Sequence, residues 1–153
     1  MKRMHIHVAV ENLTASARFY TAMFGGIEPT IQKSDYCKWE LSDPKVNFAI
    51  SQRGAKPGVD HLGIQVETDE ELVEMRSRFS NADLPALDQA ATTCCYAQSD
   101  KSWTIDPQGV AWETFRTLET APTYGQSRHD PEPTALAACC TPTTSTIAFR
   151  SRT

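Results

Sequence analysis

The stretch HIHVAVE at residues 5–11 returns later in the chain as HLGIQVE at residues 61–67. In both copies apolar side chains alternate with other residues, which is the two-residue period of a β-strand. Each copy opens with a histidine and closes on Val-Glu. A repeat of this kind predicts that the chain folds as two copies of one structural unit.

Each copy of this strand is followed by the pattern of a helix and then by shorter strand-like segments. The first helix is predicted to open after Asn12 and to end at Gly25 and Gly26, whereas the second begins at Thr68, which forms a capping box with Glu71. The shorter strands are predicted at 28–33, 36–41 and 46–51 in the first copy, and at 84–90, 94–98, 103–105 and 111–117 in the second.

The pattern therefore predicts an α+β fold built from two βαβββ modules, at about 4–53 and 59–118. Neither module can bury both faces of its own sheet, so the two are expected to pack side by side around one curved mixed sheet whose centre forms a cup. Residues 1–118 would form this domain. Residues 119–153 are rich in Pro, Thr and Ser, and are expected to form a flexible tail.

Composition narrows the class of function. The chain has 153 residues, a net charge of −4 and a pI of about 5.5, which argues against binding to nucleic acid or to an acidic membrane surface. No apolar run approaches the roughly 20 residues that span a bilayer, and the first residues read as a strand rather than a signal peptide. We therefore expect a cytoplasmic protein whose five cysteines are thiols.

Three residues at equivalent ends of the repeat are candidate metal ligands: His5, His61 and Glu113. Two imidazoles and one carboxylate form the facial set that holds Fe(II) and leaves positions open for oxygen and substrate. A lone strand histidine is more often a core or surface residue, so the hypothesis depends on the repeat. His7 is the competing ligand, and His5 is preferred because it aligns with His61.

The position in the first module that corresponds to Glu113 also bears on the chemistry. An Asp-Pro pair at 43–44 matches another at 106–107, and ungapped counting from each pair places Ile50 opposite Glu113. Isoleucine cannot bind a metal. The alignment thus predicts an open site with three protein ligands, rather than the four-ligand site of a glyoxalase-like isomerase.

Adjacent thiols at Cys94 and Cys95 are the second chemical signal. A disulfide between neighbours closes a strained ring, whereas two soft sulfur atoms suit a thiophilic metal or metalloid. The alternative is a pair of small buried residues, because free cysteine packs like a small hydrophobe. A second pair, Cys139 and Cys140, falls in the predicted tail and receives no role.

Several stretches resemble the vicinal oxygen chelate superfamily, which includes glyoxalases, bleomycin-resistance proteins and extradiol dioxygenases. The resemblance covers about residues 4–118. It is carried by residues 5–13 with Phe19 and Tyr20, by residues 60–66, and by Asp-Pro-Gln-Gly at 106–109 with Glu113. It implies the same curved, cup-forming sheet.

Within that superfamily, TTCCYA at 92–97 with Asp100, Lys101 and Trp103 resembles the arsenic- and cadmium-inducible resistance family of carbon–arsenic lyases. The resemblance implies a non-haem Fe(II) dioxygenase that uses O2 to cleave trivalent organoarsenicals, such as methylarsenite and reduced aromatic arsenicals, to arsenite. Implied iron ligands, which form the catalytic centre, are His5, His61 and Glu113. The implied arsenic-binding residues are Cys94 and Cys95.

Other functions stay open at this point. The chain could be a thiol protein that binds As(III) or Cd(II) without turnover, or a metal-free drug-binding module. Segments near 88–93 and 99–102 are predicted to be loops that open and close over the site. The two modules can complete the cup within one chain, so we expect a monomer or a homodimer.

Overall fold

The computed structural model describes residues 2–125. The remainder of the predicted tail, with Cys139 and Cys140, lies outside the described residues. The described chain forms eight strands and two helices: β1 Arg3–Ala9, α1 Leu13–Met23, β2 Ile31–Gln32, β3 Tyr36–Ser42, β4 Lys45–Ser51, β5 Gly58–Val66, α2 Asp69–Asn81, β6 Leu87–Cys94, β7 Ala97–Ile105 and β8 Ala111–Thr120.

All eight strands form one mixed sheet in the order β2-β3-β4-β1-β5-β8-β7-β6. The two copies of the repeated strand, β1 and β5, lie antiparallel at its centre, and each has the last strand of its own module, β4 or β8, as a parallel neighbour. The modules are therefore related by an approximate two-fold axis between β1 and β5. The sheet curls into a half-barrel, which confirms the predicted two-module cup.

Both helices begin where the sequence predicts. The side chain of Asn12 accepts a hydrogen bond from the Ala15 amide at 2.9 Å, and that of Thr68 accepts one from the Glu71 amide at 3.2 Å. Each cap satisfies an amide that has no partner inside its helix. In the described part of the chain, neither helix is long and apolar enough to cross a membrane.

The helices cover one face of the sheet and leave the other to form the cup. Under α1, the buried side chains of Trp39, Phe48 and Ile50 form an apolar core. Leu72 and Met75 of α2 form a second cluster with Val66 of β5. Because strand side chains alternate between faces, the apolar residues of β1 face the helices, and its histidines face the cup.

The predicted strand at 94–98 is wrong, and so are the predicted loops at 88–93 and 99–102. Those loop segments belong to β6 and β7, which are joined by a two-residue turn at Cys95 and Tyr96. Both residues have left-handed backbones, with φ of 57° and 61°. This is the geometry of a tight hairpin turn, but the Asn-Gly or Asp-Gly signal that usually marks it is missing. The dithiol therefore lies at the tip of a hairpin.

The packed fold continues beyond the predicted limit at residue 118. β8 runs on to Thr120, and the following residues fold back over the β6–β7 turn. The amide of Ala121 donates a hydrogen bond to the carbonyl of Tyr96 at 2.8 Å, and Gly125 forms a bridge with Cys94. The side chain of Tyr124 is buried there. At least the first part of the predicted tail is thus a cover for the dithiol turn.

Candidate active site

The central strand pair brings two of the predicted ligands together. His7 pairs with His61, and His5 pairs with Gly63, so both candidate histidines lie on the cup face of adjacent strands. The Nε2 atoms of His5 and His61 are 3.1 Å apart, and both side chains are buried. The antiparallel register of the repeated strands is what makes these two positions neighbours.

The third predicted ligand comes from the next strand of the sheet. Glu113 in β8 pairs with Gly63 in β5. Its Oε2 atom lies 3.7 Å from Nε2 of His5 and 3.5 Å from Nε2 of His61. Ligands about 2.1 Å from one ion and at right angles are about 3.0 Å apart, so the three atoms fit one face of a metal's coordination sphere with a small contraction.

Hydrogen bonds orient both imidazoles so that their Nε2 atoms face Oε2 of Glu113. Nδ1 of His5 lies 3.1 Å from the carbonyl of Asn47, and Nδ1 of His61 lies 2.6 Å from Oδ2 of Asp60. Donation from Nδ1 leaves Nε2 of each ring as the atom that presents a lone pair to a metal. Edge-on contacts from Phe115 to His5 and from Trp103 to His61 hold the rings in these orientations.

Charges around the three atoms are strongly coupled. Burial lowers the pKa of His5 to about 4, and the neighbouring His61 charge acts in the same direction. Burial alone would lower the pKa of His61 as well, but its hydrogen bonds to Asp60 and Glu113 outweigh that effect and raise it to about 9. Burial opposes ionisation of Glu113, yet Lys101 and His61 hold its pKa well below the usual range. At neutral pH the metal-free site thus holds one proton, on His61.

His7 gives the site an alternative third nitrogen. Ligand atoms of His5, His7 and His61 lie within 4.8 Å of one another. Nε2 of His7 is 2.9 Å from the Ser51 hydroxyl, while its buried Nδ1 has no hydrogen-bond partner and lies 4.0 Å from Oδ2 of Asp60. Two ligand sets are therefore possible, both with His5 and His61, and they differ in whether Glu113 or His7 completes them.

The alignment of Ile50 with Glu113 is wrong. In the sheet, Glu113 pairs with Gly63, and the first-module equivalent of Gly63, His7, pairs with Ala49. Ile50 faces the opposite side, in the core under α1. The ungapped count fails by one residue, because Ala49 follows Asp43 by six residues whereas Glu113 follows Asp106 by seven. The two turns differ in length, so the two Asp-Pro pairs do not occupy equivalent positions. Alanine is no ligand either, so the fourth position still offers no donor.

The two adjacent cysteines form a close pair at the hairpin tip. Their Sγ atoms are 3.1 Å apart; Cys94 is buried and Cys95 is half-buried. The hydrogen bond between Cys95 and Cys94, together with burial, raises the pKa of the Cys95 thiol well above its usual range. Left-handed backbones at Cys95 and Tyr96 cost about 1–3 kcal/mol each, so contacts around the turn must hold it in place.

The dithiol and two of the candidate metal ligands line one small cavity. Its volume is about 30 Å³, and its wall includes Cys94, Cys95, His5 and Glu113. Tyr36, Lys101 and Phe115 complete much of the remaining wall. A larger cavity of about 670 Å³ lies beside α1 and contains none of the candidate ligands. Shared access to one cavity distinguishes the cysteines from a pair that only fills the core.

Sequence reasoning missed two residues that shape the site. Asp60 was read only as part of a strand, although an acidic residue beside a candidate histidine ligand is a known orienting arrangement. Gly63 was read in the same way. A β-carbon at Gly63 would collide with the carbonyl oxygen of Glu113, so only glycine allows β5 and β8 to approach here. Its signal was a glycine inside a strand.

Proteins of closely similar sequence are known. A protein of Bacillus sp. (strain MD1) called trivalent organoarsenical cleaving enzyme is 42% identical over 154 residues, covering 95% of this chain and 94% of the relative. A probable trivalent organoarsenical cleaving enzyme of Bacillus subtilis (strain 168) is 33% identical, and the match covers 99% of this chain and 99% of the relative. The cadmium-induced protein CadI of Mycobacterium tuberculosis (strain ATCC 25618 / H37Rv) is 29% identical, with 92% of this chain and 93% of CadI covered.

Solved structures resemble the chain at the level of the fold. The 2,3-dioxygenase LapB from Pseudomonas sp. KL28 superposes with a TM-score of 0.59 at 20% identity, over 86% of this chain and 46% of that protein. A Mn(II)-bound glyoxalase from Novosphingobium aromaticivorans gives 0.55 at 12% identity, over 84% and 46%. No protein-family profile matches the chain. The near-complete sequence matches establish that the chain belongs to the family of trivalent organoarsenical cleaving enzymes and CadI, with the vicinal oxygen chelate fold.

Proposed function

We propose that the protein is an Fe(II)-dependent enzyme that uses O2 to cleave the carbon–arsenic bond of trivalent organoarsenicals, with arsenite as the arsenic product. Methylarsenite and reduced aromatic arsenicals are the proposed substrates, and organoarsenical detoxification is the proposed role. The single observation that carries the proposal is the cavity that Cys94 and Cys95 share with His5 and Glu113. The names of the relatives support the same activity.

His5, His61 and Glu113 are the proposed ligands of the iron. Their three atoms converge at 3.1–3.7 Å, and each histidine is oriented by a second hydrogen bond. The mixed nitrogen and carboxylate set suits Fe(II) with open positions, and bound iron would supply the activation of O2. We prefer Glu113 to His7 because its Oε2 atom forms a near-equilateral triangle with the two Nε2 atoms, whereas Nε2 of His7 is hydrogen-bonded to the Ser51 hydroxyl.

Cys94 and Cys95 are the proposed arsenic ligands. A trivalent organoarsenical carries two exchangeable hydroxyl groups, so two thiols replace them with the loss of two water molecules, and the As–C bond is left intact. The raised pKa of Cys95 is compatible with this exchange, because the thiol protons leave as part of the water. The bound arsenic then lies at the wall of the cavity that His5 and Glu113 also line. Fixing the two reacting centres contributes part of a proximity effect that reaches about 7–11 kcal/mol at most.

Binding without turnover is the alternative function. The dithiol and the relationship to proteins called cadmium-induced support capture of As(III) or Cd(II) by soft sulfur ligands. A buried carboxylate and a histidine in the same cavity, with a second histidine 3.1 Å from the first, are not needed for that role. We therefore rank the enzyme first. We also infer a cytoplasmic protein that acts as a monomer or a homodimer, since its thiols require reducing conditions.

The test is a turnover experiment with defined iron and oxygen. Anaerobic protein is loaded with Fe(II) and mixed with methylarsenite, oxygen is admitted, and arsenite is measured by chromatography with arsenic-specific detection. We expect arsenite only when iron and oxygen are both present. Cys94→Ser and Cys95→Ser should abolish it. Cys37→Ala is the matched control, because Cys37 is buried in the core under α1. Tight binding of arsenic by the iron-loaded protein with no arsenite would favour sequestration.

A further inference from the structure

The dithiol turn lies where the two ends of the curled sheet meet. β2 and β6 are the opposite edge strands, yet residues next to each edge share one buried cluster. Tyr36, at the start of β3, packs with Cys94 and with Tyr124, and its ring centroid is 5.8 Å from that of Tyr96. The position of the dithiol relative to the cup therefore depends on contacts between the two modules as well as on its own hairpin.

A chain of polar contacts joins the modules at this point. The hydroxyl of Tyr96 donates a hydrogen bond to Oδ1 of Asp35 at 2.6 Å, and Arg53 donates to Oδ2 of Asp35 at 2.6 Å. The guanidinium of Arg53 lies 4.0 Å from the centre of the Tyr124 ring, which is a cation–π contact. We call these four residues, Asp35, Arg53, Tyr96 and Tyr124, the module brace.

The brace acts on the residue that follows the two cysteines. Tyr96 has a left-handed backbone, as Cys95 does, and such backbones persist in non-glycine residues only where the surroundings hold them. The hydroxyl of Tyr96 is held by Asp35 of the first module, and its carbonyl accepts the amide of Ala121. Among the described residues that line the shared cavity, none belongs to the brace. One brace member, Tyr124, contacts the dithiol directly, because its side chain forms a hydrogen bond with Cys95.

We propose that the module brace is a positioning unit that holds Cys94 and Cys95 at a fixed separation and orientation relative to the metal ligands. The inference rests on the proposed function, because the separation matters only if the captured arsenical reacts at the metal. The brace does not bind arsenic or metal itself. Loss of the brace should leave the binding of arsenical and the binding of metal intact. It should slow the reaction between the arsenical held by the thiols and the metal.

Removing one hydroxyl group is the sharpest test. Tyr96→Phe keeps the ring in the aromatic cluster and deletes only the bond to Asp35, whereas Arg53→Met deletes both the ion pair and the cation–π contact. Tyr20→Phe is the matched control, since it removes a hydroxyl from a ring of α1 that packs against the apolar core, away from the brace. For each variant, kcat and KM for methylarsenite are measured with Fe(II) and O2. Binding of phenylarsenite to the dithiol is measured by protection of the thiols from a colorimetric thiol reagent.

For both brace variants we expect kcat to fall by about tenfold to a hundredfold, because small misplacements of reacting groups have effects of this size. The affinity for the arsenical should change by less than about threefold. The Tyr20→Phe protein should match the wild type. A kcat within about twofold of the wild type in both variants would overturn the proposal. So would a parallel loss of arsenical binding and kcat, because the brace would then serve only to build the dithiol.

A readout without turnover separates the brace from the proposed function. The protein is loaded with Co(II), a paramagnetic probe ion, and with a fluorinated phenylarsenite held by the two thiols, and the 19F shift is compared with that of the protein free of cobalt. In the wild type we expect one displaced 19F signal, and in Tyr96→Phe a smaller or multiple displacement. An identical displacement in both proteins contradicts the brace. Absence of arsenite from wild-type protein would contradict the enzyme alone.

Discussion

Nζ of Lys101 lies 2.7 Å from Oε1 of Glu113, and both side chains are almost fully buried. The ion pair occupies one carboxylate oxygen and leaves Oε2 to face the Nε2 atoms of His5 and His61. A buried carboxylate needs a compensating charge whether or not a metal is bound. Lys101 supplies that charge, so the protein itself orients the carboxylate toward the two histidines.

Replacement of Lys101 by methionine should make stability depend on metal. Loss of one partner from a buried ion pair costs about 3–5 kcal/mol, so we expect a marked decrease in the free energy of unfolding of the metal-free protein. Added Co(II) should restore part of it, because the ion replaces the missing positive charge. Thermal unfolding with and without metal measures both effects.

Lys2→Met is the control for this prediction. Lys2 pairs with Glu74 at 2.9 Å, but the side chains are 32% and 51% exposed to solvent. An exposed pair contributes at most about 1 kcal/mol, and the change should not depend on metal. Equal destabilisation of Lys101→Met in the presence and absence of metal would show that the lysine charge and the metal do not act on the same carboxylate.

The two possible ligand sets can be distinguished by which variants lose the metal. We expect His5→Ala, His61→Ala and Glu113→Gln to abolish the visible absorption of the Co(II)-loaded protein. His7→Ala should retain it with affinity reduced by about tenfold at most, as for a residue that only supports the ligands. Retention by Glu113→Gln together with loss by His7→Ala would instead assign the site to the three histidines.

Metal affinity should depend on pH through His61. Because the pKa of His61 is raised to about 9, this histidine carries a proton at neutral pH, and a metal must displace it. The pKa of His5, lowered to about 4, adds no proton in this range. The apparent affinity should therefore rise by about tenfold per pH unit from roughly pH 6 to 8, with about one proton released per metal bound.

Calorimetry in buffers of different ionisation enthalpy measures the number of protons released when the metal binds. Asp60→Asn serves as the comparison, because loss of the carboxylate beside Nδ1 should lower the pKa of His61 and reduce proton release at neutral pH. Binding of the arsenical to the thiols releases water rather than protons, so its affinity should change little over the same range. Metal binding with no proton release would contradict the charge state assigned to His61.

Gly63→Ala should disturb both the sheet and Glu113, the proposed metal ligand on the neighbouring strand. A β-carbon at this position collides with the carbonyl oxygen of Glu113, and β5 and β8 must move apart to relieve the contact. We expect destabilisation of about 1–3 kcal/mol, typical of overpacking, together with weaker binding of Co(II). Denaturant unfolding and metal titration test the two effects. Wild-type values for both would mean that the strands adapt without cost.

Local patterns were sufficient to predict most of the fold. Alternation in β1 and β5 and the caps at Asn12 and Thr68 depend on neighbouring residues only, and the structure has these elements where the patterns predict them. The internal repeat added the relation between the modules. It put His5 and His61 at equivalent positions, and an approximate two-fold axis brings equivalent positions near the axis together.

Prediction failed where a few residues in a turn decide the geometry. The turn at Cys95 and Tyr96 lacks a local signal, because its left-handed backbones depend on contacts with Asp35 and with Ala121. The counterpart of Glu113 was misplaced for a related reason. A difference in turn length shifts the register, and a shift of one residue moves a side chain such as Ile50 to the other face of the sheet.

The sequence by itself determined the two-module fold, the identities of the candidate ligands and the presence of a dithiol. These follow from periodicity, from the repeat and from residue chemistry, all of which can be read along the chain. Only the tertiary structure decided that the dithiol lines one cavity with His5 and Glu113, that Lys101 holds Glu113, and that Asp35 reaches Tyr96. Those relations join strands from opposite ends of a curled sheet, and curvature is a property of the whole sheet rather than of any one segment.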